Sequence, residues 1–295
     1  MNKDLISRAE FSAEPALFAG NSADTRSARI VGNTFFQKIY SKRRLLPVGT
    51  KTKIDWCDAT WNPVTGCLHG CEYCYARRIA KRFGSNLMPI FTNYPVLDEP
   101  VRSVGFDGEK IQPYPFDFTP TFHRYKLDEP QRWKKPRNIF VCSMADLFGE
   151  WVPDAWIRDV FEACEAAPQH RYLFLTKNPS RYSRLYKEGK LPHLIDCWWG
   201  ASTPRMDDSY NIGYKTFASI EPIYEDFSSA EAPLCGWVII GAETGNRKGK
   251  IVPRKEWIST FAKKCEYDGV PVFMKESLRE LMGSDFRQEF PWEEE

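Results

Sequence analysis

The stretch RYLFLTK at residues 171–177, followed by NPSRYSRLYKEG at 178–189, is the unit from which the fold can be inferred. Its first part is a short apolar run, which is typical of a buried strand. Its second part has an Asn-Pro start and a Gly stop, which are typical of a helix. A strand followed directly by a helix is the repeating unit of parallel α/β folds.

The same alternation extends along the chain in both directions. Helices are expected at 153–167 and 253–269. Short apolar runs of strand length are NIFVCSM (138–144), CWWGAST (197–203), KTFASIEP (215–222), GWVIIGAE (236–243) and VPVFMK (270–275). Such runs alternating with helices indicate a parallel sheet that is buried on both faces, so the sequence predicts an α/β protein.

About seven strands in one domain leave two architectures, a full or partial (β/α) barrel and a doubly wound open sheet. Polar residues follow nearly every strand, and in a barrel these positions converge around one mouth. They are Ser143, Asp146, Thr176, Lys177, Ser202, Thr203, Glu221, Glu243 and Lys275. A partial or near-complete (β/α) barrel is therefore favoured, although the link between the runs at 197 and 215 is short for a crossover helix.

The rest of the chain divides around this barrel. Residues 1–50 show no sustained periodicity and are predicted to be an N-terminal arm or irregular cap. Residues 51–278 form the barrel domain, and the Pro- and aromatic-rich segment 84–137 within it is a long irregular insertion with room for one short helix. Residues 279–295 are expected to be an acidic C-terminal tail.

Composition limits the possible partners and the compartment. The chain has 41 basic and 39 acidic residues, a net charge of +2, so no strong global field draws it to nucleic acid or to a membrane surface. Neither a signal peptide nor an apolar run of membrane-helix length is visible, so a cytoplasmic protein without membrane contact is expected. In a reducing compartment, clustered cysteines indicate a metal or redox site rather than disulfides.

Three of the nine cysteines lie close together in GCLHGCEYCYA at 66–76, as Cys67, Cys71 and Cys74. A structural zinc usually takes four protein ligands, and the nearest other cysteines do not form a second CxxC pair. Three thiolates from one loop would bind three irons of a cubane cluster and leave the fourth iron open. His69 is expected to be a loop residue rather than a fourth ligand, because a fourth ligand would close that iron.

The other cysteines are expected to be structural. Cys142, Cys164, Cys197, Cys235 and Cys265 lie in apolar runs or helices and are predicted to be small buried side chains, whereas Cys57 fits either role.

CLHGCEYC resembles the CxxxCxxC signature of the radical S-adenosylmethionine (radical SAM) superfamily, including the aromatic Tyr73 before the last cysteine. TWNPVTGC, SIEP, GVPVFMK and the segment from 120 to 153 are similar to a phage- and plasmid-associated branch, the phage three-Cys-motif proteins, which is described as a domain of unknown function. This similarity spans roughly residues 53–278.

The resemblance implies a partial barrel in which Cys67, Cys71 and Cys74 hold a 4Fe-4S cluster and S-adenosylmethionine chelates the open iron. It also implies reductive cleavage of S-adenosylmethionine to a 5′-deoxyadenosyl radical, which removes a hydrogen atom from substrate. Ser143 and Asp146 stand where the superfamily often has Gly-Gly-Glu, and Glu243 lies in a variant of its adenine-contacting strand. The cofactor-binding residues expected from the resemblance and the strand ends are Tyr73, Ser143, Asp146, Lys177, Ser202, Glu221 and Glu243.

Substrate and partners stay open at this point. An external flavodoxin- or ferredoxin-like electron donor is implied, and a separate partner protein that brings the substrate is left open. A nucleotide, a nucleic acid or a modified-base precursor is favoured as substrate, and a peptide remains open. The alternative of another class is a non-catalytic nucleic-acid- or protein-binding module with a structural zinc in the three-Cys loop, against which the near-neutral charge argues mildly.

Overall fold

The computed structural model describes residues 52–84, 93–105, 108–192, 196–205 and 215–292. The N-terminal arm predicted for residues 1–50 lies outside the described residues. In chain order the described strands are β1 (Ala59–Trp61), β2 (Val64–Thr65), β3 (Val96–Leu97), β4 (Arg102–Gly105), β5 (Gly108–Ile111), β6 (Thr121–His123), β7 (Asn138–Val141), β8 (Arg171–Thr176), β9 (Asp196–Ser202), β10 (Thr216–Ile220), β11 (Trp237–Ile240) and β12 (Val272–Met274). The helices are α1 (Tyr75–Phe83), α2 (Asp154–Glu165), α3 (Ser180–Lys187), α4 (Lys255–Tyr267) and α5 (Arg279–Met282).

The centre of the fold is a seven-stranded sheet in the order β1-β7-β8-β9-β10-β11-β12. Every pair of neighbouring strands is parallel. Within the described residues the two end strands of this sheet, β1 and β12, do not pair with each other, so the sheet curves as a barrel that does not close. The outer edge of β12 instead meets residues 287–289 in a short antiparallel contact. The prediction of an α/β partial barrel is confirmed.

Helices cover the outer face of this sheet. Side chains from β7, β8 and β9 pack with α2 and α3 in one apolar cluster, in which the rings of Phe174 and Trp199 stack at 4.9 Å. Side chains from β10, β11 and β12 pack against α4 in a second cluster. Because each helix follows or precedes the strands it covers, the apolar stripe of the helix and the outer strand positions bury each other.

The inner face is filled by large aromatic side chains. Because successive side chains of a strand point to opposite faces, alternate residues of the strands share this face, among them Phe140, Leu173, Phe217 and Phe273. Gly200 makes room for them, since a Cβ there would lie 2.2 Å from the ring of Phe217. This aromatic layer closes the inside of the barrel beneath the carboxyl ends of the strands.

The insertion 84–137 contains more regular structure than expected. β2, β6 and β3 form a three-stranded sheet, and β4 and β5 form a two-stranded hairpin. These strands have two to four residues each, too few for a periodicity to show in sequence. Pairing with residues 64–65, just before the three-Cys loop, is a tertiary interaction that local sequence does not reveal.

The C-terminal residues also differ from the expected acidic tail. After α5 the chain runs back along the sheet, where Glu289 donates its N–H to the Val272 carbonyl at 3.1 Å. Phe290 and Trp292 pack against the inner aromatic layer, with Trp292 5.1 Å from the ring of Trp237. An acidic tail was expected because the segment ends in glutamates. Burial of its aromatic side chains against the sheet instead decides where the segment lies.

Among the described residues, no helix combines the length and the apolar character needed to cross a membrane.

Replacing Phe290 with alanine is expected to lower the free energy of unfolding by about 2 kcal/mol, below the usual cost of a fully buried ring because Phe290 is only half-buried. Urea denaturation followed by tryptophan fluorescence measures the loss. The matched control is Tyr267→Ala, whose side chain is 91% exposed and which should change stability by less than about 0.5 kcal/mol. Equal effects of the two substitutions would show that residues 286–292 do not stabilise the barrel.

Candidate functional site

The structure brings all ten sequence-predicted site residues to one cavity at the carboxyl ends of the parallel strands. Its lining includes Cys67, Cys71, Tyr73, Cys74, Ser143, Asp146, Lys177, Ser202, Glu221 and Glu243. The three-Cys loop forms one side of this cavity, and the ends of β7 to β11 form the other. The residues come together because parallel strands present their carboxyl ends at the same edge of a sheet.

The three-Cys loop is held by its own backbone and by the insertion. It begins at Gly66, whose φ of 88° and distance of 2.3 Å from a built Cβ to the Thr119 carbonyl oxygen exclude any side chain. Cys67 donates its N–H to the Phe118 carbonyl at 3.3 Å. The loop ends at Cys74, whose Sγ accepts the N–H of Arg77 at 3.3 Å and caps α1. The insertion thus determines the path of the loop.

The donor set of the loop fits a sulfur-ligated metal centre. Three thiols line the same cavity, and burial raises the pKa of the Cys67 thiol to about 12, so binding a metal there displaces a proton. Across the described ranges, no group of three or more His, Cys, Asp or Glu side chains is arranged to hold a single metal ion. Soft thiolates are the donors that iron–sulfur clusters use.

Asp146 connects the three-Cys loop to the sheet through four hydrogen bonds. Its Oδ1 accepts from the hydroxyl of Thr176 at 2.7 Å and from the N–H of Phe148 at 3.0 Å. Its Oδ2 is 2.7 Å from His69 Nε2 and accepts from the N–H of Lys177 at 2.9 Å. These contacts occupy about all of the acceptor positions of a carboxylate. Asp146 therefore lines the cavity and holds the three-Cys loop against the end of β8, which we call its fastening role.

This arrangement also decides the position of His69. Its Nε2 points to Asp146, and its ring meets Trp151 edge-on at 4.8 Å. The imidazole is therefore held against the sheet by a carboxylate and an indole, in the manner that fixes histidine orientation elsewhere in proteins. The sequence-based expectation that His69 is a loop residue agrees with this geometry.

Lys177, Tyr73 and Ser202 form one hydrogen-bonded group across the cavity. The Lys177 ammonium donates to the Tyr73 hydroxyl at 2.8 Å and to Ser202 Oγ at 2.7 Å. Burial raises the pKa of the Tyr73 hydroxyl, so the phenol stays neutral. Within the described part of the chain, no carboxylate pairs with this half-buried ammonium. A cation held between neutral hydroxyls in a cavity is suited to an anionic ligand group.

Ser143 lies at the start of the turn that follows β7. Its hydroxyl donates to Asn62 Oδ1 at 3.2 Å, and its carbonyl accepts from the hydroxyl of Tyr75 at 2.6 Å. Asn62 Oδ1 also accepts the N–H of Met144 at 2.9 Å. The end of β1 therefore shapes the turn after its neighbouring strand, and Ser143 is placed on the cavity wall by this contact.

The two glutamates lie at the far side of the cavity, each with a basic partner. Glu221 Oε1 accepts from the Lys275 ammonium at 2.5 Å. Glu243 binds Arg247 through both oxygens, at 2.7 and 2.8 Å, and this pair holds the pKa of the Glu243 carboxyl below its usual range. Arg247 also reaches Glu72 in the three-Cys loop at 3.4 Å. Each carboxylate is therefore paired with a basic side chain, and the ion pair between Arg247 and Glu72 connects the far side of the cavity to the three-Cys loop.

Sequence reasoning missed several residues that build this site. Asn62 orders the turn after β7, Arg247 anchors Glu243, and Tyr75, Phe118 and Phe140 add aromatic walls. Asn62 could have been found from sequence, because Asn-Pro marks a turn directly after the segment ATW that forms β1. Phe118 had none, since it reaches the cavity from the insertion by a long-range contact.

Replacing Asp146 with asparagine is expected to lower the free energy of unfolding by about 3 kcal/mol, because the amide nitrogen faces donors that then have no acceptor. Chemical denaturation at neutral pH measures it. Asp268→Asn makes the same change at an exposed position and should cost less than about 0.5 kcal/mol. A loss for Asp146→Asn no larger than for this control would contradict the fastening role.

Comparison with known proteins adds a family and two structural likenesses. A spore photoproduct lyase complexed with dinucleoside spore photoproduct matches at a TM-score of 0.49 and 13% identity, over 79% of this chain and 81% of that chain. A mutant of spore photoproduct lyase matches at a TM-score of 0.45, again with 13% identity and the same coverage of 79% and 81%. Neither likeness bears on the function of this chain.

No curated protein matches the sequence. The model of one protein family, described as "Protein of unknown function (DUF5131)", matches residues 51–280, the whole of the barrel domain with the three-Cys loop and the cavity. The chain therefore belongs to the DUF5131 family.

Proposed function

We propose that this protein is a radical SAM enzyme whose active site is the cavity beside the three-Cys loop. One observation carries the proposal: the three loop thiols share a cavity with the Lys177 ammonium, three carboxylates and several aromatic rings, at the carboxyl ends of the barrel strands. Active sites of (β/α) barrels lie at this edge. The phage- and plasmid-associated branch suggested by the sequence stays a prediction.

In this proposal Cys67, Cys71 and Cys74 hold a 4Fe-4S cluster. The loop supplies three thiols to the cavity. A structural zinc usually takes four protein ligands. Three thiols therefore favour a cluster with one iron left for an external ligand over the alternative of a structural zinc.

The remaining polar groups suit S-adenosylmethionine. Lys177, presented by Tyr73 and Ser202, is the group for the carboxylate of the cofactor. Glu221 and Glu243 are the acceptors for its amino and ribose hydroxyl groups. Ser143 completes the wall on the β7 side, and Asp146 acts by holding the loop. When bound together, the cluster and S-adenosylmethionine supply reductive cleavage to methionine and a 5′-deoxyadenosyl radical, which takes a hydrogen atom from substrate.

For the substrate we propose a broad chemical class and no particular molecule. Tyr73, Tyr75, Phe118 and Phe140 line the cavity, and aromatic rings are platforms on which bases stack. A nucleotide or a nucleic-acid-related molecule is the substrate class that we favour.

The first test compares wild-type protein with Cys71→Ala after anaerobic reconstitution. We expect about four irons per wild-type chain and 5′-deoxyadenosine formation with dithionite, and loss of both in the variant, since each thiolate binds one iron. The control is Cys235→Ser, which changes a cysteine just before β11, at the amino end of that strand, and should keep both properties. Stoichiometric zinc without iron, or cleavage retained by Cys71→Ala, would falsify the proposal.

A second test separates cofactor binding from cluster assembly. Lys177→Met should weaken S-adenosylmethionine binding about 10- to 100-fold, because a charge-assisted hydrogen bond is lost, while the iron content stays unchanged. Equilibrium binding of the cofactor to reconstituted protein measures this. Lys187→Met removes an exposed lysine from α3 and should bind the cofactor like wild type. Unchanged affinity in Lys177→Met would remove Lys177 from the site.

A further inference from the structure

Helix α1, which begins directly after Cys74, is basic along its length. Its nine residues YARRIAKRF include four cations and no acidic residue. Arg77 has a structural place, since it donates to the Cys67 carbonyl at 3.4 Å and lies over the Phe118 ring. Arg78, Lys81 and Arg82 are spaced i, i+3 and i+4, so they lie on one face of the helix. We call this face the α1 basic surface.

The α1 basic surface is exposed to solvent, and its electrostatic effect on a carboxylate within the described residues is that Arg78, after the larger effect of Arg247, helps to lower the pKa of Glu243. All three side chains are exposed, and within the described residues none forms an ion pair. None of the three lines the cavity. Two cations in the last turn complement the helix dipole, but this does not account for Arg78, which lies in the first half of the helix.

A neighbouring loop extends the charge toward the mouth. A Cβ built on Gly245 would lie 3.6 Å from both terminal nitrogens of Arg78, and the Lys250 ammonium donates to the Gly245 carbonyl at 3.0 Å. On the three-Cys loop itself, Leu68 is 51% exposed and does not line the cavity. The three-Cys loop and the helix that follows it therefore present both an exposed apolar side chain and several exposed cations.

We infer that the α1 basic surface, with Lys250 and Leu68, is the docking site of an acidic one-electron donor protein. The inference rests on the proposed function, which requires an electron from outside the chain. One electron leaves the donor, which is oxidised, and enters the cluster held by the three cysteines, which is reduced; no bond or proton changes in this step. An apolar centre with charged residues around it is the usual composition of such interfaces.

The position of the surface favours an electron donor over the substrate. At 1.5 Å rise per residue, Arg78 and Arg82 lie only about 6 and 12 Å along the helix from Cys74. A protein docked there is close to the cluster ligands without entering the cavity. A substrate, in contrast, must reach into the cavity, and none of these cations lines it. Opposite charges steer such encounters and raise the association rate.

The test uses reconstituted protein and measures 5′-deoxyadenosine formation driven either by dithionite or by a reduced bacterial flavodoxin. The variant Arg78→Glu/Lys81→Glu/Arg82→Glu should keep the dithionite-driven rate within about twofold and lose about tenfold or more of the flavodoxin-driven rate at low salt. Raising the salt should slow the flavodoxin-driven wild-type reaction and bring it closer to the variant. Lys81→Glu/Arg82→Glu, which leaves Arg78 in place, is a second variant should the triple variant fold poorly.

The matched control is Lys134→Glu/Lys135→Glu/Lys187→Glu, which makes the same change in net charge at three exposed lysines elsewhere. It should keep both rates. Suppose that the two triple variants have equal flavodoxin-driven rates while dithionite-driven cleavage is intact. This result would reject the docking surface and leave the proposed function standing. If the α1 variant instead loses binding of a single-stranded oligonucleotide and keeps its flavodoxin-driven rate, the surface binds nucleic acid. That result would also reject the docking of an electron donor. Wild-type protein that cleaves nothing with dithionite overturns the proposed function itself.

Discussion

The carboxylate of Asp146 joins three parts of the chain that are far apart in sequence. It accepts hydrogen bonds from His69 in the three-Cys loop, from Phe148 in its own turn, and from Thr176 and Lys177 at the end of β8. A buried carboxylate needs such partners, because leaving its acceptors unpaired costs several times the gain from a single hydrogen bond. The loop that carries the thiols is thereby tied to the edge of the sheet that carries the polar groups.

The sheet organises the other side of the cavity through a simple alternation. Inner positions of the strands hold Leu173, Trp198, Phe217 and Ile239 in the aromatic layer. Continuing along each strand in steps of two reaches the cavity lining at Lys177, Ser202, Glu221 and Glu243. A single periodicity therefore produces an apolar floor and a polar rim. The insertion and the C-terminal segment then close the structure from either side, the first against the loop and the second against the floor.

The proposed function depends on how these two sides meet. In the proposal, the thiols of the loop would hold a cluster, and the rim provides the Lys177 ammonium and the Glu221 and Glu243 carboxylates within the same cavity. Aromatic rings line this cavity as well. The basic helix that follows the loop contributes Tyr75 and Ala76 to the cavity wall, whereas its exposed cations do not line the cavity. One short segment of chain therefore gives its cysteines to the inside of the site and its cations to the outer surface. Membership in a family of unknown function leaves these roles to experiment.

Much of this protein can be predicted from its sequence. The βα alternation determines a parallel α/β sheet, because apolar runs and helical periods are local properties. The spacing of Cys67, Cys71 and Cys74 and the polar residues after each strand indicate which side chains meet, because parallel strands bring their carboxyl ends together.

Other features depend on tertiary contacts and have no local signal. The short strands of the insertion form only through pairing with residues beside the loop, and Phe290 and Trp292 find their place only when the sheet exists. Asp146 shows the limit most clearly. Its sequence position indicates a cavity residue, but only the folded chain shows that its acceptors are occupied, because hydrogen-bond partners up to 77 residues away are brought together by packing alone.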